Sequence, residues 1–148
     1  MPTRSTRRKN RFLVQLAVPR RGVPSAAALR RWALAAGRTL DVVTLRIVGA
    51  REGRRLNRRF RKIDRATNVL SFRYARGRGY IVLCHPLIAR EARAQGKARA
   101  AHYAHLVIHG MLHLRGHDHR RKGEAARMES AEIRLLRRCG FGNPYAVE

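Results

Sequence analysis

The run HGMLHLRGHDH, residues 109–119, constrains this chain more than any other segment of it. His109 and His113 are four apart, so on a helix they leave the same face, about 40° apart around the axis. Both imidazoles then reach one metal ion. Gly116 can adopt the left-handed conformation that ends a helix, which lets the chain fold back and bring His119 to the same ion. Three neutral imidazoles with an open fourth position describe a catalytic zinc site, where a water binds and is polarised. The cluster holds no thiolate, which argues against a closed structural site.

A single histidine here would read as a core or surface residue. Three at this spacing, with a glycine at the turn, read as a metal site. His105 lies one turn upstream on the same face, too far along the axis for a ligand, and reads as a supporting or core residue. Asp118 is either a group that orients a ligand histidine through its second N–H or a plain turn residue. His85 and His102 receive no role. The spacing follows the metzincin pattern H-E-x-x-H-x-x-G-x-x-H except at Gly110, where that pattern has its glutamate general base. Glycine takes no proton from water, so a peptidase would need another base.

The rest of the chain predicts an α+β domain, a small mixed β-sheet packed with several helices. Residues 11–18 and 41–48 read as strands rich in branched side chains. Ser25 caps a helix over 26–36, with Leu29, Trp32, Ala33 and Ala36 at helical spacing. Residues 51–62 read as a helix with Leu56 and Phe60 on its apolar side. Short strands follow at 68–72 and 80–84, joined through the turn signal Arg76-Gly77-Arg78-Gly79. Pro86 opens a helix over 87–95, and longer helices cover 98–114 and 122–138. Strand order is not legible.

Lys and Arg number 34 against 9 Asp and Glu, a net charge of +25, yet 45% of residues are hydrophobic and suffice for a core. Self-repulsion on that scale calls for a polyanion, nucleic acid first and an anionic membrane surface second, against a merely solvated basic surface. Aromatic residues are only 6%, so extensive base stacking is not expected and sequence preference should be weak. Cys84 and Cys139 form no disulfide framework, which suits a reducing compartment. No apolar run is long enough to span a bilayer. The basic start has too short an apolar part for a secretory signal, which favours the cytoplasm, with an arginine-rich transit peptide as the alternative.

Residues 105–119, HLVIHGMLHLRGHDH, resemble the signature of the YbeY endoribonuclease family of bacterial rRNA maturation factors. Residues 56–72, LNRRFRKIDRATNVLSF, are similar to that family's L-N-x-x-[FY]-R-G-K-D-x-x-T-[DN]-V-L-S-F, and EARAQGK and GFGNPY also match. The resemblance implies a metzincin-like three-histidine site with one Zn2+ per chain. It implies single-strand-specific RNA cleavage in ribosomal RNA maturation (small-subunit 3′-end processing) and in ribosome quality control. Its partners would be single-stranded ribosomal RNA, the ribosome or small subunit and associated assembly proteins, with no membrane and a cytoplasmic location. Residues 1–10 would be a basic tail, and 11–148 a single metal-dependent endoribonuclease domain.

Carried over residue by residue, His109, His113 and His119 fall on the family's metal ligands, and Arg61 on the arginine facing its active site. A guanidinium there can grip a phosphate bidentately and stabilise the charge of a pentacoordinate transition state. Without the resemblance, Arg61 would read as one more solvated arginine. Asn68 and Ser71 would flank the cleft as candidate substrate-binding residues, with Phe72 a core residue. Departures from the pattern are Lys62-Ile63 for Gly-Lys, Arg73 for Pro, Tyr80 for Asp, and a short basic loop over 73–79. They spare the ligands and change the cleft rim. Two other functions stay open: a non-catalytic rRNA-binding assembly factor with a structural metal, and a metallopeptidase-like hydrolase.

Overall fold

The computed structural model describes residues 11–37, 40–116 and 123–146. Strands β1 (Arg11–Leu16), β2 (Val42–Val48), β3 (Val69–Ala75) and β4 (Arg78–Cys84) form one mixed sheet in the order β1-β2-β4-β3. β1, β2 and β4 run parallel, and β3 lies antiparallel to β4 at the sheet edge. Interleaved and following are helices α1 (Ala26–Ala35), α2 (Ala50–Arg61), α3 (His85–Ala94), α4 (Arg99–Leu114) and α5 (Glu124–Arg138). This is the α+β architecture that the sequence predicts.

Ser25 does cap α1, its Oγ accepting from the Ala28 N–H at 3.1 Å. The two strands expected at 68–72 and 80–84 are longer, and make a hairpin that turns at Arg76-Gly77. Gly77 there takes φ 73°, the left-handed region that glycine enters without strain.

β2 is buried along nearly its whole length and is covered on both faces, Val43, Leu45 and Ile47 on one and Val42, Thr44, Arg46 and Val48 on the other. On one face Val43, Leu45 and Ile47, with Ile81 and Leu83 of β4, join α1, α4 and α5 in the main core. On the other, α2 shields a smaller cluster of Val48, Leu70, Val82 and Cys84. α4 buries Tyr103, Ala104, Val107, Ile108, Met111 and Leu112, an apolar face broad enough to leave only a narrow polar side. It can lie close to the sheet because position 110 is glycine. A Cβ there would stand 3.0 Å from Cγ2 of Ile81.

α2 differs from expectation. Its buried residues are Gly53 and Asn57, whereas Leu56 is half-buried and Phe60 is 41% exposed. The helix approaches β4 at Gly53, where a Cβ would be 3.3 Å from Sγ of Cys84. Asn57 then faces inward, its Nδ2 donating to the Arg65 carbonyl at 2.8 Å and pinning the loop after α2. Phe72, expected in the core, is half-buried, with its ring stacked on Phe60.

Candidate active site

α4 aligns His102, His105, His109 and His113 along one side. The Nε2 atoms of His109 and His113 are 3.1 Å apart. Nδ1 of His109 lies 2.8 Å from Oε2 of Glu132, a fully buried residue of α5. Oε1 of Glu132 accepts from Nε2 of His105 at 3.0 Å and from the Tyr145 hydroxyl. Burial alone would push the Glu132 carboxyl up, but hydrogen bonds from His105, His109 and Tyr145 outweigh it and hold it at about 2.

An ionised carboxylate only accepts, so Nδ1 of His109 carries the proton and the lone pair sits on Nε2. Two imidazole lone pairs do not rest at 3.1 Å without positive charge between them, a proton or a metal cation. Nitrogen ligands on a tetrahedral zinc ion are about 3.3 Å apart, from bonds of about 2.05 Å. The donor chemistry and spacing of this pair therefore fit a borderline-soft divalent cation. Among the described residues no group of three His, Cys, Asp or Glu converges on one point. The remaining predicted ligand, His119, and Asp118 with it, lie outside the described residues.

The pair opens onto a cleft of about 400 Å³ between α2, β3 and α4, into which Arg61, Asn68 and Ser71 also face. Arg61 Nη2 donates to the Ser71 carbonyl at 3.1 Å. It is placed there by the end of α2, where Lys62 adopts φ 63° as the left-handed cap. This is where the family pattern has glycine, so lysine accepts a strain of about 1–2 kcal/mol. Ser71 offers the cleft its backbone carbonyl. Asn68 is held within the wall, its Nδ2 on Oε1 of Glu91 at 3.0 Å and its Oδ1 on the Val69 N–H at 2.6 Å. The same Glu91 oxygen lies 2.8 Å from Nε2 of the buried His102.

The departures at the rim have structural work. Arg73 donates through Nε, at 3.1 Å, and through Nη2 to the Leu114 carbonyl, satisfying the last turn of the histidine helix. Proline has no donor for that carbonyl. Tyr80 stacks against Phe72. Gly110 answers the missing glutamate: with Ile81 this close, a side chain at 110 would enter the sheet. A glutamate at this position would be tightly crowded against Ile81.

Sequence reasoning missed Glu132 and Asn57. Glu132 had a signal, an acid on the apolar stripe formed by Met128, Ala131, Leu135 and Leu136. An acid in such a stripe is buried and must find donors. His105, read as a supporting residue, is one of those donors.

A family model described as "Endoribonuclease YbeY" matches residues 26–140. The endoribonuclease YbeY of Aromatoleum aromaticum is 55% identical over 126 residues, covering 83% of this chain and 82% of the relative. That of Nitrosomonas eutropha is 44% identical over 138 residues, covering 91% and 98%. The solution structure of TM1509 from Thermotoga maritima shares the fold, with a TM-score of 0.55 at 21% identity, over 93% of this chain and all of that one. No helix among the described residues is long and apolar enough to cross a membrane.

Proposed function

The chain belongs to the endoribonuclease YbeY family, and from that membership we propose that it cleaves single-stranded ribosomal RNA in the cleft between α2, β3 and α4. One zinc ion would be held by His109, His113 and His119. Its setting would be small-subunit rRNA maturation and ribosome quality control in the cytoplasm, with residues 11–148 acting as one domain and 1–10 as a basic tail. The observation that supports this reading best is the His109–His113 pair, 3.1 Å apart at Nε2 and tied at Nδ1 to the buried Glu132. Nothing in a structural core requires two facing imidazoles to be aimed so, beside a guanidinium, in an open cleft.

When bound, zinc neutralises charge on a phosphate oxygen and acidifies water. The chain's own groups do the rest. Glu132 keeps the proton on Nδ1 of His109, so the nitrogen facing the cleft is a ligand and not a donor. Arg61 is anchored by one hydrogen bond and has further N–H donors in a planar fork for the scissile phosphate. As the phosphorus becomes pentacoordinate its oxygens gain charge, and that fork stabilises the gain more than the ground state. The attacking oxygen is that of water or of the RNA's own 2′-hydroxyl. End-group analysis separates them, since only the second leaves a cyclic phosphate.

The test pairs elemental analysis with cleavage of single-stranded RNA. Wild type should carry one zinc per chain, and His113→Ala should lose most of it together with activity. Arg61→Ala should keep the metal and lose at least about 100-fold in cleavage rate, the usual effect of removing one transition-state donor. Undiminished cleavage after a chelator has stripped all metal would overturn the zinc reading. Undiminished cleavage by Arg61→Ala would overturn the role of the arginine.

A further inference from the structure

Four of the nine aromatic residues, scattered in sequence, meet on one patch of surface. Phe60 and Phe72 stack with ring centroids 4.1 Å apart and planes 15° apart. Phe72 and Tyr80 continue the stack at 5.6 Å and 18°, and Tyr74 lies 4.9 Å from Tyr80 at 52°. Phe72 and Tyr80 are cross-strand partners in the β3–β4 hairpin, and Tyr74, two residues on, shares their face. Farther along that face α2 covers Leu70, Val82 and Cys84. Toward the hairpin turn the cover stops, and the ends of the stack stay open: Phe60 is 41% and Tyr74 46% exposed. An aromatic ladder this open is poor use of apolar surface for stability alone.

We infer that this ladder is a base-stacking platform that holds the single-stranded RNA next to the cleft. The inference rests on the RNA-cleaving function proposed above and adds a second place of contact. Two observations select the occupant. The first is continuity: Phe60 immediately precedes Arg61, and Phe72 immediately follows Ser71, the two residues whose hydrogen bond lines the cleft. The Phe60–Phe72 stack and the Arg61–Ser71 hydrogen bond both bridge α2 and β3, so the ladder and the cleft adjoin along the same two elements.

The second is charge. The guanidinium carbon of Arg59 lies 5.4 Å from the Phe60 centroid, and Arg76 and Arg78, both exposed, frame the hairpin turn. A second copy of a chain carrying +25 would be repelled from such a rim, whereas a phosphate backbone matches it. Exposed rings on neighbouring strands of a four-stranded sheet are a known way to hold splayed bases, and every base offers a π-face, so the contact tolerates any sequence. The overall aromatic content of 6% suggested little stacking, because a chain-wide average does not register how these side chains converge.

The test uses the full chain in chelator, so that RNA is bound and not cut. Binding of a short oligoadenylate bearing 2-aminopurine is compared with binding of an abasic strand of equal length, which has the phosphates without the bases. Tyr74→Ala and Phe60→Ala should each weaken oligoadenylate binding about tenfold and leave the abasic strand and the salt slope unchanged. Tyr74→Phe should bind as wild type does. The 2-aminopurine fluorescence should be quenched on wild type and less so on the alanine variants.

Equal oligoadenylate affinity in wild type and both alanine variants would overturn the platform. So would equal losses on both strands, or a change in self-association by sedimentation with RNA affinity intact. Cleavage readouts keep the two readings apart. Stacking without metal-dependent cleavage would sink the nuclease mechanism alone, and cleavage without stacking would sink the platform alone.

Discussion

Replacing Glu132 by glutamine changes almost no volume, yet it should disable the metal site from a distance. The carboxylate accepts from three donors, His105 and Tyr145 at Oε1 and His109 at Oε2. An amide has one oxygen and one NH2. With the oxygen toward His105 and Tyr145, the NH2 faces Nδ1 of His109 and needs a lone pair there. The His109 proton then moves to Nε2, the atom 3.1 Å from His113, where a metal must first displace it. With the amide reversed, the Tyr145 hydroxyl must turn to accept from the NH2, and the Nε2–H of His105 is left facing a donor.

Losing the group that orients a ligand histidine lowers metal affinity by about 10- to 100-fold, or about 1.4–2.7 kcal/mol. Separately, each hydrogen bond that loses its charged acceptor gives up about 1 kcal/mol, so the metal-free fold should weaken by about 2–3 kcal/mol. The assay is a zinc titration against a competing chelator, beside urea unfolding of the metal-free protein. Tyr145→Phe is the control: it removes one donor to Glu132, leaves the His109 tautomer alone, and should retain zinc affinity within about threefold. Wild-type zinc affinity in a folded Glu132→Gln variant would refute the tautomer argument.

Gly110→Ala puts a Cβ at 3.0, 3.2 and 3.3 Å from side-chain atoms of Ile81; overpacking of about 1–3 kcal/mol set against about 1 kcal/mol of helix propensity leaves a net loss of about 1 kcal/mol in urea unfolding. A more stable variant would show that α4 is not held against the sheet at that point. Arg46 grips Glu52 through Nε at 2.6 Å and Nη2 at 3.0 Å, and that hydrogen bond holds the Glu52 carboxyl below its ordinary range. A carboxyl lowered on folding stabilises above its unfolded value of about 4.3 and ceases to as pH falls through its folded value. Glu52→Gln should therefore be about 1 kcal/mol less stable than wild type at neutral pH, and the gap should close in acid unfolding curves. RNA affinity should fall with salt by about 0.7 log unit per log unit for each phosphate contact, and a flat titration would remove the arginines from the backbone.

The parts legible in the sequence are those set by near neighbours in the chain. Ser25 with Leu29, Trp32 and Ala33 defines α1, and the four-residue step from His109 to His113 aims two rings at one point whatever surrounds them. What stayed hidden depends on contacts distant in sequence. The insertion of β4 between β2 and β3 follows from which faces need cover, and no local pattern records that. Helical spacing places Phe60 on the apolar side of α2, but the helix meets the sheet at Gly53 and turns Phe60 onto Phe72. Glu132 and His109 are 23 residues apart, and their pairing needs α4 and α5 side by side. Arg61 was singled out by resemblance alone, because its only distinguishing physical feature, the reach to Ser71 across the cleft, exists only in the folded chain.

β3 ends the sheet, and the terminal strand of any sheet invites pairing with the strand of another copy. Here the Ser71 carbonyl on that strand is met by the guanidinium of Arg61. The side chain proposed above to grip the phosphate thus also occupies one acceptor of that open edge. While the chain is bare, its charge of +25 adds a general repulsion between copies; a bound nucleic acid cancels that repulsion and leaves the guanidinium to block the strand. Self-association should therefore rise in Arg61→Ala, most of all on RNA.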